Sequence, residues 1–537
     1  MTKESAASAG DRRMESPGRR RLDLGKAARS PRAKIKSIED LATLAETTRS
    51  AGRKVVLAHG VFDLVHLGHV RHLEAARRHG DLLMVTVTAD AFVNKGPGRP
   101  AFTDALRAEM LGALEYVDWV GINYSSDALS LIRTIKPDVY AKGSDYVDAT
   151  ADVTGKIAQE RKAVESYGGA MVFTDEITSS STQLINRYFS TLDPAVRDYL
   201  DGFRQDHPVA MLEELLDRVK NYRVLVVGDS IVDEYQYVQP MGKAAKENMI
   251  ATLFQSREMF AGGVVAAANH LANFCGEVDI ITSIGSDDSQ EELLLRARQS
   301  NVSIDFIERR GVPTTRKCRF IDPAYMRKLF EVYSMDDKPL EPPLEAELNR
   351  KIAERAGDYD MVLVTDFGHG LISRATIDLL TDKARFLAVN AQSNSANMGY
   401  NLITKYPRAD YVCIDAPEAK LAIGEKYVDV ETIAGTLLPR RMQCDRLILT
   451  HGGYGCIIHS KGEAVSRIPA LTRTVVDTVG AGDAFLAVTS PLVKAGGPMK
   501  AIGFIGNVVG ALKVGIVGHR SSIDKASVVK SIRALLS

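Results

Sequence analysis

Two histidines three residues apart, His66 and His69, lie in the segment His59-Gly60-Val61-Phe62-Asp63-Leu64-Val65-His66-Leu67-Gly68-His69. An apolar run at 54–58 precedes them, and helical spacing continues to about His79. Both imidazoles therefore belong at the positive end of a helix, where free N–H groups and the helix dipole favour anions. Gly68 leaves the backbone bare enough for a phosphate to approach. Imidazoles placed there can donate hydrogen bonds to a triphosphate and to the charge that develops during phosphoryl transfer. A second constellation lies far along the chain, at 474–485. Gly480, Ala481 and Gly482 open a helix there, and Asp483 stands in its first turn. Backbone N–H groups in that turn can hold a phosphate while the carboxylate takes a hydroxyl proton.

Other segments converge on the first constellation. Lys95 sits in a basic, glycine-rich loop suited to closing over phosphates, and Arg107 lies in the next helix. Lys142 follows a strand directly, and Ser181 and Thr182 open the last helix of the region. The pattern His66-Leu67-Gly68-His69 resembles the HxGH signature of cytidylyltransferase-like nucleotidyltransferases. The whole of 54–190 looks like the nucleotidyltransferase half of the bifunctional heptose kinase/adenylyltransferase family. The matching pieces are Gly60 to Asp63, the HxGH segment, Arg99-Pro100, the run from Leu111 to Trp119, Lys142 to Tyr146, and Ser181-Thr182. The resemblance implies that a sugar 1-phosphate attacks the α-phosphate of a nucleoside triphosphate, ATP or CTP, with Mg2+ bridging phosphates. It implies that His66 and His69 meet the triphosphate, while Lys95, Arg107 and Lys142 balance phosphate charge. Gly60, Phe62, Gly68, Ser181 and Thr182 complete the nucleotide site, and Asp63 lies near the nucleotide or the metal.

The second constellation resembles the C-terminal signature of ribokinase-like carbohydrate kinases, over 223–535. Asp229 and Asp233 resemble the acidic, sugar-binding start of these kinases, and Gly262-Gly263 with Asn269 their GG…N substrate motif. Thr450, Gly453 and Gly455 resemble the nucleotide-binding turn, and Glu418 the acid of an NxxE metal motif. The chain also departs from the heptose kinases. Lys246-Glu247-Asn248-Met249-Ile250 replaces SPEAPVP, and Asn390-Ala391-Gln392-Ser393 replaces DPKG. Asp415 stands for the NxxE asparagine, and His369 for a lysine of DYGKG. Domain order is also swapped. These changes leave two readings: an active kinase with an altered sugar pocket, or a kinase-like module that binds or dimerises without catalysis.

Elements that could position these groups follow from periodicity. Short apolar runs alternate with amphipathic helical stretches through 36–190 and again from 222 to 537, which predicts two doubly wound α/β domains. In such sheets ligands bind beyond the strand C-terminal ends, where both constellations fall. Runs at 316–321 and 329–335 lack an intervening helix and predict a small antiparallel flap. Residues 191–221 read as a polar, partly helical linker, and the Arg-, Ser- and Gly-rich residues 1–35 as a disordered tail.

The length of 537 residues suits roughly two to four domains. Lys+Arg and Asp+Glu both number 68, so no protein-wide field favours nucleic acid or a membrane. Five scattered cysteines without CxxC spacing argue for a reducing, cytoplasmic setting and against a zinc site. The partners to expect are a nucleoside triphosphate, a sugar phosphate and a second copy of the chain.

Overall fold

The computed structural model describes residues 30–93, 100–125, 127–143, 156–174 and 193–536. The expected tail over 1–35 therefore lies almost entirely outside the described residues.

Among the described residues, the first domain is built on six strands: β1 (Ile35–Lys36), β2 (Val55–Gly60), β3 (Leu82–Thr88), β4 (Trp119–Asn123), β5 (Val139–Gly143) and β6 (Ala170–Thr174). They pair in the order β1-β4-β3-β2-β5-β6, and every pairing is parallel. Residues of β2 alternate between two cores. Val56 and Ala58 join one cluster and Val55 and Leu57 the other, because a parallel sheet is covered on both faces. The chain leaves β2 for β3 on one side and later returns to β5 on the other. The crevice beyond the β2 and β5 C-terminal ends is thus the switch point at which such sheets bind ligands.

The second domain carries β7 (Arg223–Gly228), β8 (Ser230–Lys243), β9 (Ile250–Gly262), β10 (Glu277–Gly285), β11 (Val302–Arg309), β12 (Arg316–Asp322), β13 (Arg327–Ser334), β14 (Met361–Asp366), β15 (Leu387–Ala391), β16 (Tyr411–Asp415), β17 (Arg446–Thr450), β18 (Cys456–Ser460) and β19 (Ser466–Ile468). Nine of these form one sheet, β11-β10-β7-β14-β15-β16-β17-β18-β19, antiparallel only at the β17–β18–β19 end. The flap is larger than expected. β12 and β13 pair antiparallel as anticipated, but two long strands, β8 and β9, complete a four-stranded sheet β13-β12-β8-β9.

Residues 191–221 are not a loose connection. Asp193 caps a helix at Pro194–Asp206, and a second helix follows at Val209–Arg218. Val196, Leu200, Phe203, Leu212, Leu215 and Leu216 from these helices join the large core of the second domain. Their polar faces disguise strongly amphipathic helices. Among the described residues, no helix is long and apolar enough to cross a membrane.

Candidate active sites

The first site grows from the end of β2. Phe62 adopts φ +49°, a left-handed conformation that turns the chain sharply, and its ring packs under Gly60. A side chain at Gly60 would begin 3.2 Å from that ring. His66 is the N-cap of the helix Leu67–Arg77, and its Nδ1 accepts the Gly68 N–H at 3.1 Å. In a neutral ring this leaves the proton on Nε2, which is then a donor. The His66 and His69 rings lie 4.0 Å apart, and Phe62 braces His69 edge-on at 5.1 Å. Lys142 reaches the same strand edge from β5 and pairs with Glu160 at 2.8 Å, with both side chains largely enclosed. Two histidines not anticipated as site residues complete this wall. His59 Nδ1 lies 2.9 Å from Thr86 Oγ1, and His72 Nδ1 lies 2.7 Å from Thr174 Oγ1. Burial, reinforced by the Lys142 charge, pushes His59 down to about 3 and His72 to about 4. Both are neutral imidazoles at physiological pH.

One expectation needs correction here. Arg107 is fully buried and gives its donors to the protein itself: Val61 O, Thr88 O at 2.8 Å, Phe102 O at 2.9 Å and Asp90 Oδ1 at 2.6 Å. It ties the loop before the HxGH segment to β3 rather than meeting a phosphate. Asp63, also fully buried, accepts the Ala101 N–H and so ties the turn after β2 to the segment opening at Ala101. Lys95, Ser181 and Thr182 lie outside the described residues.

The second site is a cleft of about 480 Å3 between the flap and the main sheet. At its centre, Gly480 caps the helix Ala481–Lys494 with φ +74°. A side chain at Gly480 would collide with the His519 ring, with 2.4 Å to Cε1. Ala481, Gly482 and Asp483 line the cleft from the first helical turn, where N–H groups lack intrahelical acceptors. Burial raises the Asp483 carboxyl above the ordinary carboxylate range and Asp233 adds to this, while His519, Lys513 and Lys317 oppose it. A carboxylate so raised is a stronger base.

The flap faces this turn with charge. Lys317 and Arg319 alternate on one face of β12, and Lys317 pairs in register with Asp233 of β8. Asp233 is buried, bonded to Arg319 Nη1, and lies 3.3 Å from His519 Nε2. Burial opposes its ionisation, but the His519 hydrogen bond and the Arg319 charge hold its carboxyl below the usual range. Gly262 is required beside it, since a Cβ there would meet Asp233 Oδ2 at 2.0 Å. Gly263 shares this corner of the cleft. Of the residues the sequence suggests here, Asp233 and Gly263 line the cleft and Gly262 packs against Asp233; Lys317, Arg319 and His519 also line it and were not anticipated. The period-two placement of Lys317 and Arg319 in a strand was the available signal.

Asp229 and Asn269 do not line the cleft. The Asp229 carboxylate accepts the Phe367 N–H at 3.0 Å and the His369 N–H at 3.4 Å. Burial, with Asp366 nearby, lifts it to about 6. Asn269 bonds Ala297 O and the Gln299 N–H, tying its helix to a turn. The opposite end of the cleft carries Thr450, Gly453, Gly455, Asp415 and Glu418. The Asp415 substitution does not dismantle this end, because Asp415 and Glu418 form a reciprocal capping box. Burial and the Asp415 charge raise Glu418. His369, in place of a lysine, is buried and pushed down to about 3 by burial and then by Lys317, so a cation is replaced by a neutral ring.

Residues 221–526, more than half of the chain, match the family model of pfkB family carbohydrate kinases, and residues 57–187 match that of cytidylyltransferase-like proteins. Bifunctional protein HldE of Geotalea uraniireducens is 40% identical over 169 residues, covering 31% of this chain and 33% of that protein. Bifunctional protein HldE of Gluconobacter oxydans is 41% identical over 155 residues, covering 28% and 30%. The chain thus spans about a third of the length of the curated relatives it matches. Among solved structures, a ribokinase from Thermotoga maritima is 20% identical with a TM-score of 0.45, covering 58% of this chain and 99% of that chain. The chain belongs to the pfkB family of carbohydrate kinases and carries a cytidylyltransferase-like region ahead of the kinase fold.

Proposed function

We propose that the chain is a bifunctional enzyme in which two sites act in series through a released sugar 1-phosphate. The second domain phosphorylates the anomeric hydroxyl of a sugar or sugar phosphate with ATP. The first domain then couples that 1-phosphate to a nucleotide from ATP or CTP and releases pyrophosphate. The product is a nucleotide-activated heptose or heptose-like sugar.

The observation that carries this reading is the cleft in which Asp483 and the Gly480–Gly482 turn face Asp233, Lys317 and Arg319. Asp483 takes the hydroxyl proton as the oxygen attacks the transferred phosphoryl group. The first-turn N–H groups hold that group, and Asp233 fixes the sugar. In the first domain, His66 and His69 donate to the triphosphate, and Lys142 exchanges Glu160 for phosphate oxygens. Mg2+ fits the nucleotide end of the kinase cleft. Asp415 and Glu418 line that end, and because their carboxylates already accept each other's N–H groups and that of Ser393, they would meet the ion through its retained water shell. When bound, it would neutralise phosphate charge.

The two activities are assigned to 36–190 and 222–537, in a cytoplasmic homodimer. Mass spectrometry of products, after incubation with a panel of sugar phosphates and each nucleotide, tests the reading. A nucleotide-sugar formed from a sugar substrate plus ATP supports it. Transfer to supplied sugar 1-phosphates, with no ATP consumed on any free sugar or sugar phosphate, would leave the kinase fold as a binding module.

A further inference from the structure

Lys513 ends the helix Met499–Lys513 and is completely enclosed. A buried ammonium is costly unless other groups replace its water. Here its Nζ donates to Val479 O at 2.8 Å and to Gly518 O at 2.7 Å. These carbonyls belong to the two turns that build the phosphate end of the cleft. Val479 precedes Gly480, and Gly518 precedes His519. In a trans peptide the N–H points opposite to the C=O. Drawing the Val479 carbonyl to Lys513 therefore turns the Gly480 N–H the other way. Gly518 is gripped from both sides, since its N–H donates to Asp477 Oδ2 at 2.8 Å. Asp477 also accepts the Val479 N–H, the Tyr235 hydroxyl and Lys328 Nζ. Burial works against the Lys513 charge, as does Lys328, while Asp477, Asp483 and Asp233 favour it. An ammonium held by carbonyls and surrounded by carboxylates has the chemistry of a bound monovalent cation.

We propose that the Lys513 ammonium is a built-in monovalent cation that fixes the Val479–Gly480 and Gly518–His519 turns for phosphoryl transfer. Lys513 is a positioning residue: it acts through the turns and touches no substrate. The proposal rests on the kinase reading of the second domain. It follows that the intact chain needs no added monovalent cation. Removing the ammonium leaves a carbonyl-lined position open to NH4+ or K+.

The test compares the full chain with Lys513→Met in tetramethylammonium, ammonium and potassium chloride at equal ionic strength. Thermal unfolding and ATP-dependent sugar phosphorylation are both read. The unaltered chain should behave alike in all three salts. In tetramethylammonium, Lys513→Met should lose about 100-fold in kcat, with a smaller change in the sugar KM. Ammonium or potassium should restore about tenfold or more of that loss, and should raise the unfolding midpoint with concentration, as linkage requires. A Lys513→Met protein indifferent to both cations in both readouts overturns the proposal. So does an unaltered chain with the same cation requirement. If Lys513→Met does not fold in any salt, Lys513→Gln replaces it, and a fully active Lys513→Gln overturns the role of charge. A chain that phosphorylates no sugar refutes the kinase reading, and the unfolding data still decide whether Lys513 stands in for a cation.

Discussion

In the reading proposed above, the two sites solve one problem, holding a phosphate at a helix N-terminus, with different parts. At Leu67–Arg77 the donors are side chains: His66 caps the helix and stacks near His69, with Phe62 bracing the pair. At Ala481–Lys494 the donors are backbone groups of a glycine turn, and the reactive side chain is Asp483. The histidine motif of the first site is written within eleven consecutive residues, 59–69, and Lys142 and His72 join it from outside that stretch. The second needs segments from 233 to 519. A local motif can carry its own chemistry, whereas a backbone anion site depends on distant residues that hold its turn in place.

The largest effect is expected at Asp483. A general base contributes roughly 100- to 10,000-fold, so Asp483→Asn should remove sugar phosphorylation by about that factor and leave nucleotidyl transfer from a supplied sugar 1-phosphate intact. Coupled assays of both activities on one preparation check this. Joint loss would show that the sites are not independent.

The histidines come next. His69→Ala should slow nucleotidyl transfer about 100- to 1000-fold, as removal of a preorganised donor does. His66→Ala loses a donor and also a helix cap, the latter worth about 1 kcal/mol. His66→Asn restores the cap without the imidazole. If pyrophosphate release stays low in His66→Asn while stability returns, the ring acts on phosphate. Recovery of both would reduce His66 to a cap.

Legibility in the sequence follows the same divide. The helix starts that carry His66, His69 and Asp483 are legible because helix-opening motifs are short and local. The parallel sheets were found because buried strands form apolar runs. β8 and β9 were missed because half-exposed flap strands carry polar residues, such as Gln255 to Glu258, where a core strand would be apolar. Lys317, Arg319 and His519 were missed because their meeting with Asp233 is set by contacts between segments far apart in sequence, 86 residues for Arg319. Arg107 and Asn269 were assigned to ligands because type and position suggested it. Only the packed structure shows that their hydrogen bonds are spent within the protein, on backbone groups and, for Arg107, on Asp90 as well.

Arg107 offers a third test. As a strut, Arg107→Met leaves several carbonyls without a donor and should cost about 3 kcal/mol in urea unfolding. The nucleotide KM of the protein that remains folded should then change little. A large rise in KM at unchanged stability would return Arg107 to the phosphate.

The smallest effects concern pH, and here the two domains should differ in sign at particular groups. Asp229 has its folded pKa raised to about 6 by burial and by Asp366. A raised folded pKa means that its contribution to stability is full below the unfolded value near 3.8 and is lost as pH rises through about 6. Asp229→Asn keeps an acceptor for the Phe367 and His369 N–H groups and removes the charge. Relative to the unaltered chain, it should gain about 2 kcal/mol between pH 4 and pH 7.5. His72 has the opposite sign. Its folded pKa is depressed to about 4 by burial and by Lys142. Its contribution is therefore present above 6.5 and lost as pH falls towards 4. His72 is partly accessible, so the effect should be nearer 1 kcal/mol at pH 5, and His72→Asn should flatten it. Urea unfolding of both variants and the unaltered chain across pH 4 to 8 measures the differences directly. Each is a variant-minus-parent slope, so titrations elsewhere cancel. Slopes of the same sign would mean that one of the two groups does not occupy the environment described, and a flat Asp229→Asn difference would place that carboxylate in contact with solvent or with a cation.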